Sequence, residues 1–83
     1  MFTCYILFSR RTSRYYVGST QDMANRLQEH NSGEGHATRS GAPWVIVWKE
    51  EFLTRREALV RERQIKARGI RRFLEDQRKK EPG

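Results

Sequence analysis

Disulfides, membrane spans and zinc sites are all missing from this chain of 83 residues. Its single cysteine, Cys4, has no partner for an internal bridge. No apolar run reaches the length of a membrane span, and the opening Met1-Phe2-Thr3-Cys4-Tyr5 goes straight into a strand-like pattern rather than a targeting segment. There is no Cys and His spacing for zinc, no Walker-type loop, no low-complexity stretch and no internal repeat. A soluble protein of the reducing cytoplasm is the expectation. The length allows one domain, near the lower limit for a single hydrophobic core.

Lysine is scarce and arginine is not. The 17 basic residues outweigh 10 acidic ones for a net charge of +7, and only Lys49, Lys66, Lys79 and Lys80 are lysines. From Arg55 onward 11 basic side chains stand against 5 acidic ones, so the excess sits almost wholly in the last third. Guanidinium is the better bidentate partner for phosphate oxygens, which makes nucleic acid the first partner to consider. The same charge also suits a solvated helical surface that only keeps a small protein in solution.

The local pattern predicts a small α/β domain, a three-stranded antiparallel sheet flanked by helices. "FTCYILF" alternates Phe2, Cys4, Ile6 and Phe8 with Thr3, Tyr5 and Leu7, a period of two. "SRRTSR" reads as a turn, and "YYVG" as the second strand of a hairpin ended by Gly18. Ser19 and Asp22 suggest a capping box for a helix running to about Asn31. The stretch 31–43 is rich in Gly, Ser and Asn and reads as a long exposed connection. "WVIVW" predicts a strand buried on both faces. Thr54-Arg55-Arg56-Glu57 is a T-x-x-E box opening a helix that Gly69 stops. Ile70, Phe73 and Leu74 make a last short amphipathic helix, before a tail, "DQRKKEPG", expected to fray.

Glu62 breaks this pattern. It falls between Ala58, Leu59 and Ile65, on the face that should turn to the sheet, where a carboxylate is costly unless it is paired or binds a cation. The plainer alternative is a partly exposed glutamate bonded to Arg63 or Lys66. On the first helix Arg26 and His30 are four apart and share a face. Cys4 is expected to be a buried small apolar residue, and Tyr15 to alternate away from Tyr16 and pack on the opposite face. His36 and Arg39, in the long connection, suit either a substrate backbone or solvent.

The order of these pieces carries a resemblance. Tyr5 in a first strand, Tyr16-Val17-Gly18 in a second with ten residues between the tyrosines, Arg26 and His30 on the next helix, and Glu62 on a later one resemble the GIY-YIG nuclease domain over nearly the whole chain. The first motif here is Thr3-Cys4-Tyr5, which keeps the tyrosine and lacks the Gly-Ile. Tyr16-Val17-Gly18 is a full match to the second. "EHNSG", the arginine in "TRSG" and "EALVRERQIK" around Glu62 are similar to the small stand-alone bacterial branch.

The resemblance implies a single nuclease-like domain over 1–78 with a tail at 79–83, and a Mg²⁺-dependent endonuclease cutting DNA phosphodiesters in repair or in processing single-stranded or branched DNA. Mn²⁺ is a plausible substitute, and Glu62 is the implied metal ligand. Arg26 would stabilise charge on the phosphate. Tyr5 would be the general base if Arg26 or the metal lowers its pKa, Tyr16 would bond phosphate or water, and His30 would relay the proton. Asn31, Arg39, Lys66, Arg71 and Arg72 would grip nucleic acid, DNA before RNA, with Asn31 equally suited to capping the first helix. The alternative is a non-catalytic nucleic-acid-binding module of the same fold, working through its basic C-terminal helices. A third is a protein-interaction domain whose basic face meets an acidic partner.

Overall fold

The computed structural model describes residues 1–34 and 38–80. His36 and the tail residues 81–83 therefore lie outside the described residues. Three strands and three helices follow in the order β1 (Phe2–Ser9), β2 (Tyr15–Thr20), α1 (Met23–Ser32), β3 (Trp44–Phe52), α2 (Arg55–Arg68) and α3 (Ile70–Lys80), with a 3₁₀ turn at Arg39–Gly41. The sheet is antiparallel, in the order β2-β1-β3. The strand with the strictest alternation, β1, is thus central, and Cys4, Tyr5, Ile6 and Leu7 are all buried in it.

Alternation along β1 sorts the core into two layers. Cys4 and Ile6 pack with Val17, Ile65 of α2 and Phe73 of α3, and Tyr15 joins them at the margin. Tyr5 and Leu7 pack with Trp44, and with Tyr16 and the Met23 and Leu27 stripe of α1. The sheet is covered by α1 on one face and by α2 and α3 on the other. Each fully buried aliphatic side chain here contributes about 1.5–3 kcal/mol. Tyr15 and Tyr16 accordingly face opposite ways, as the alternation predicts.

Four local expectations are corrected. The strand β2 does not end at Gly18 but runs to Thr20, which pairs with Thr3. The cap of α1 is Asp22, whose Oδ1 accepts from the Asn25 N–H at 3.1 Å, because Ser19 is committed to the strand. The strand β3 is an edge, with Ile46 and Val47 exposed, rather than buried on both faces; a short apolar run does not by itself distinguish the two. Finally, α3 continues through Lys80, so residues 76–80 are helical rather than frayed. At the start of α2 the Thr54 hydroxyl accepts from the Glu57 N–H at 3.2 Å, the cap expected, while the Glu57 carboxylate accepts from that hydroxyl at 2.9 Å. Gly69, at φ 95°, closes that helix, its N–H bonding to the Ile65 carbonyl.

Candidate active site

The two phenols meet on the α1 face because β1 and β2 place them there in register. Tyr5 pairs across the hairpin with Gly18, and Leu7 with Tyr16, so both tyrosines project from the same side of neighbouring strands. The glycine is a steric requirement. A Cβ built on Gly18 would lie 2.7 Å from Tyr5 Oη and 3.1 Å from the Tyr16 ring, so only glycine lets the Tyr5 ring lie across the strand. The two rings are 6.3 Å apart between centroids.

His30 comes up beneath them from the last turn of α1. Tyr5 Oη is 2.9 Å from His30 Nε2, and His30 Nδ1 is 2.7 Å from Thr38 Oγ1. Tyr5, His30 and Thr38 are each about 1% exposed, so the chain Tyr5–His30–Thr38 is sealed from water. Trp44 fastens its far end, donating Nε1–H to the Thr38 carbonyl at 2.8 Å. Burial, then the charge of Arg26, lowers the His30 pKa, so the imidazole is neutral near pH 7 with one nitrogen donating and the other accepting.

Arg26, one turn earlier on α1, faces both phenols, and its pKa is raised by its interaction with Tyr5 first and with Tyr16 after it. Tyr5 responds in the direction opposite to the one expected. Desolvation pushes its pKa up to about 12, outweighing the lowering by Arg26. The phenol most available to a substrate is instead the half-buried Tyr16. Arg26 also holds Glu29 at 3.5 Å, a partly exposed pair that orients the guanidinium more than it stabilises the fold.

Glu62 belongs to α2, on the other layer, yet it does not turn to solvent. Only 17% of its side chain is exposed, and its charge reaches across to raise the pKa of both Cys4 and Tyr5. Lys66 Nζ holds its Oε2 at 2.9 Å, so the plainer alternative for Glu62 is also present. That bond is the main cause of a raised Lys66 pKa, with a smaller contribution from the charge of Tyr16. Among the described residues no three His, Cys, Asp or Glu side chains gather as a metal cage. A single carboxylate nevertheless fits Mg²⁺, which keeps most of its water and commonly binds through one or two carboxylates and a phosphate. Glu62 Oε1 has no partner among the described residues.

The remaining sequence candidates separate. Asn31 lies within α1 rather than capping it, since Gly33 is the cap. Its amide oxygen accepts from the Trp44 N–H and its amide nitrogen donates to the Trp44 carbonyl at 3.2 Å, so both ends of the amide fix the start of β3. Arg39 is exposed in the 3₁₀ turn, directly after Thr38. Lys66 is tied to Glu62. Arg71 and Arg72 are exposed on α3, in the layer opposite the tyrosines. Thr38 and Trp44 carry the support of His30 and had no sequence signal, because a threonine in a polar connection and the first residue of an apolar strand look ordinary.

Comparison with known proteins places this arrangement in context. The family model for the GIY-YIG catalytic domain matches residues 1–72. A UPF0213 protein of the archaeon Haloquadratum walsbyi is 47% identical over 53 residues, which cover 63% of this chain and 60% of that protein's length. The structure-specific endonuclease subunit slx1 of Schizosaccharomyces pombe is 41% identical over 51 residues, 54% of this chain but only 19% of the yeast protein. The solution NMR structure of a UPF0213 protein from Bacillus halodurans superposes with a TM-score of 0.58 at 29% identity, covering 96% of this chain and 86% of that one.

Proposed function

We propose, from the premise that this chain belongs to the GIY-YIG catalytic-domain family, that it is an endonuclease hydrolysing phosphodiester bonds, with Tyr16, Arg26 and Glu62 at the reacting phosphate. DNA is the proposed substrate, in single-stranded or branched form, with repair or processing as the setting. The observation that carries the reading is the gathering of Tyr5, Tyr16 and His30 on one face of the sheet, with Tyr5 Oη 2.9 Å from His30 Nε2 and the Tyr16 ring 5.0 Å from the imidazole, and with Arg26 interacting with both phenols.

Each side chain has a task its surroundings support. Arg26 carries a fixed charge beside the phenols and stabilises the extra negative charge as the phosphorus becomes pentacoordinate, an effect worth about 10²–10³ in rate for one well-placed donor. Tyr16, the reachable phenol, accepts a hydrogen bond from the attacking water and orients it. Tyr5, with its raised pKa, works from below: its hydroxyl and that of Thr38 bond the two ring nitrogens of a neutral His30, a chain that holds the ring over Gly18 and keeps the site shaped. Glu62 would hold Mg²⁺, or Mn²⁺ in its place, through the carboxylate oxygen not bonded to Lys66. When bound there, the ion supplies Lewis acidity at a phosphate oxygen and at the leaving oxygen.

A second reading, a nucleic-acid-binding module with no cutting, draws its support from Lys66, which already occupies one oxygen of Glu62. Incubating the protein with labelled single-stranded, duplex and branched DNA, in Mg²⁺ and in chelator, separates the two. An endonuclease yields metal-dependent fragments from at least one form; a binder retards the DNA and leaves it whole in both conditions.

A further inference from the structure

One groove of the molecule lies away from Tyr5 and Tyr16. A cleft of about 540 Å³ opens between α3 and the opposite layer of the sheet. Its floor is Tyr15, Trp48 and Leu74, and its rim is Arg71, Glu75 and Arg78. The rim follows from helical spacing, since residues 71, 75 and 78 fall one turn apart on one face of α3. The floor follows from the sheet: Tyr15 is the residue of β2 that alternates away from Tyr16. Trp48 is held rigid from behind, with Phe73 edge-on at 4.9 Å and the Arg61 guanidinium 5.8 Å from its ring centre.

The charges of this rim are unspent. Elsewhere on the surface Arg26 pairs with Glu29, Arg61 with Glu50, Lys66 with Glu62 and Arg68 with Asp76. Arg71 and Arg78 make no ion pair among the described residues. Half-buried aromatic faces between two guanidinium groups that form no ion pair among the described residues match what an unpaired nucleotide strand offers, phosphates outside and base faces within. A duplex hides those base faces, and the cleft volume falls within the roughly 300–1,000 Å³ of ordinary ligand clefts.

The geometry points to this groove as a seat for a single-stranded stretch of nucleic acid, distinct from the cluster of Tyr5, Tyr16 and Arg26, which lies on the other face of the sheet. It rests on the endonuclease reading for what the seated strand is delivered to. The route is short: β2 is an edge strand, Tyr15 and Tyr16 are adjacent in it, and a strand passing around that edge meets first one and then the other. Glu75, the one acid on the rim, weakens the seat.

The test is fluorescence anisotropy in chelator, so that nothing is cut, with a labelled oligothymidylate about 12 nucleotides long. The double variant Arg71→Glu, Arg78→Glu should bind at least tenfold more weakly and with a salt slope shallower by about 1.4. Tyr15→Ala should weaken binding about fivefold or more, Tyr15→Phe should restore it because the ring stacks without its hydroxyl, and Glu75→Gln should tighten it. A duplex of equal length should respond less to the tyrosine change. Wild-type affinity in the double arginine variant overturns the proposal, as does a dimer in sedimentation that this variant dissolves. Cutting is read separately in Mg²⁺ with Glu62→Gln. Glu62-dependent cutting alongside unaltered groove-variant binding removes the groove alone; lost groove-variant binding with no cutting by the wild type removes the endonuclease reading alone.

Discussion

Tyr5 and Gly18 sit opposite one another across the β1–β2 hairpin, so close that a methyl group on Gly18 would stand 2.7 Å from the tyrosine hydroxyl. The glycine of the Tyr-Val-Gly motif is therefore part of the site, although it has no side chain. It is the floor on which the phenol rests, and the His30 bond depends on that position.

Gly18→Ala is predicted to push the Tyr5 ring off this floor. Overpacking of this kind costs about 1–3 kcal/mol, read as a lower urea midpoint with an unchanged slope. Cleavage should fall further than the stability loss explains, because the Tyr5–His30 bond is broken in molecules that remain folded.

Asn31→Ala separates fold from substrate binding. The variant leaves the Trp44 N–H and C=O without their side-chain partners, at a cost of about 1–3 kcal/mol in chemical denaturation. Affinity for DNA, measured well below the unfolding midpoint, should remain near the wild-type value. A large loss of affinity with stability intact would return Asn31 to the binding surface.

Stability should carry the signature of His30. Its folded-state pKa is lowered from 6.5 by burial first and by Arg26 second, so the folded protein keeps the imidazole neutral where the unfolded chain already takes up a proton. The contribution is complete above about pH 6.5 and is lost as pH falls through the depressed folded value. Thermal melts of the wild type should show this decline, and His30→Gln should flatten it.

The two tyrosines should respond differently to loss of the hydroxyl. Tyr16→Phe removes the reachable phenol and should lower the cleavage rate about 10²-fold with little change in stability. Tyr5→Phe leaves His30 Nε2 unpartnered in a sealed site, so its first effect is on stability, about 1–3 kcal/mol. Equal rate losses with no stability change would put both phenols at the substrate.

Much of this architecture was legible because its signals are local. The alternation of β1, the Thr54–Glu57 box and the Gly69 stop each lie within a few residues, and the order and spacing of Tyr5, Tyr16, Arg26, His30 and Glu62 carry the family resemblance. What was not legible depends on distant partners. Burial of Tyr5 reverses the expected direction of its pKa, and that burial comes from α1 and Trp44 rather than from its neighbours in sequence. The bonds of Asn31 to Trp44 span 13 positions, and those of His30 to Thr38 cross the connection between α1 and β3. The edge position of β3 follows from strand order, which an apolar run does not encode.

The central claim, that Tyr16, Arg26 and Glu62 act on one phosphate, is tested most directly by single-turnover cleavage of a labelled oligonucleotide at saturating protein, comparing the wild type with Glu62→Gln in Mg²⁺. Glu62→Gln should bind the oligonucleotide as tightly as the wild type and cut it at least 10²-fold more slowly. Equal cutting rates in the two proteins, or no cutting by the wild type on any DNA form, would contradict it.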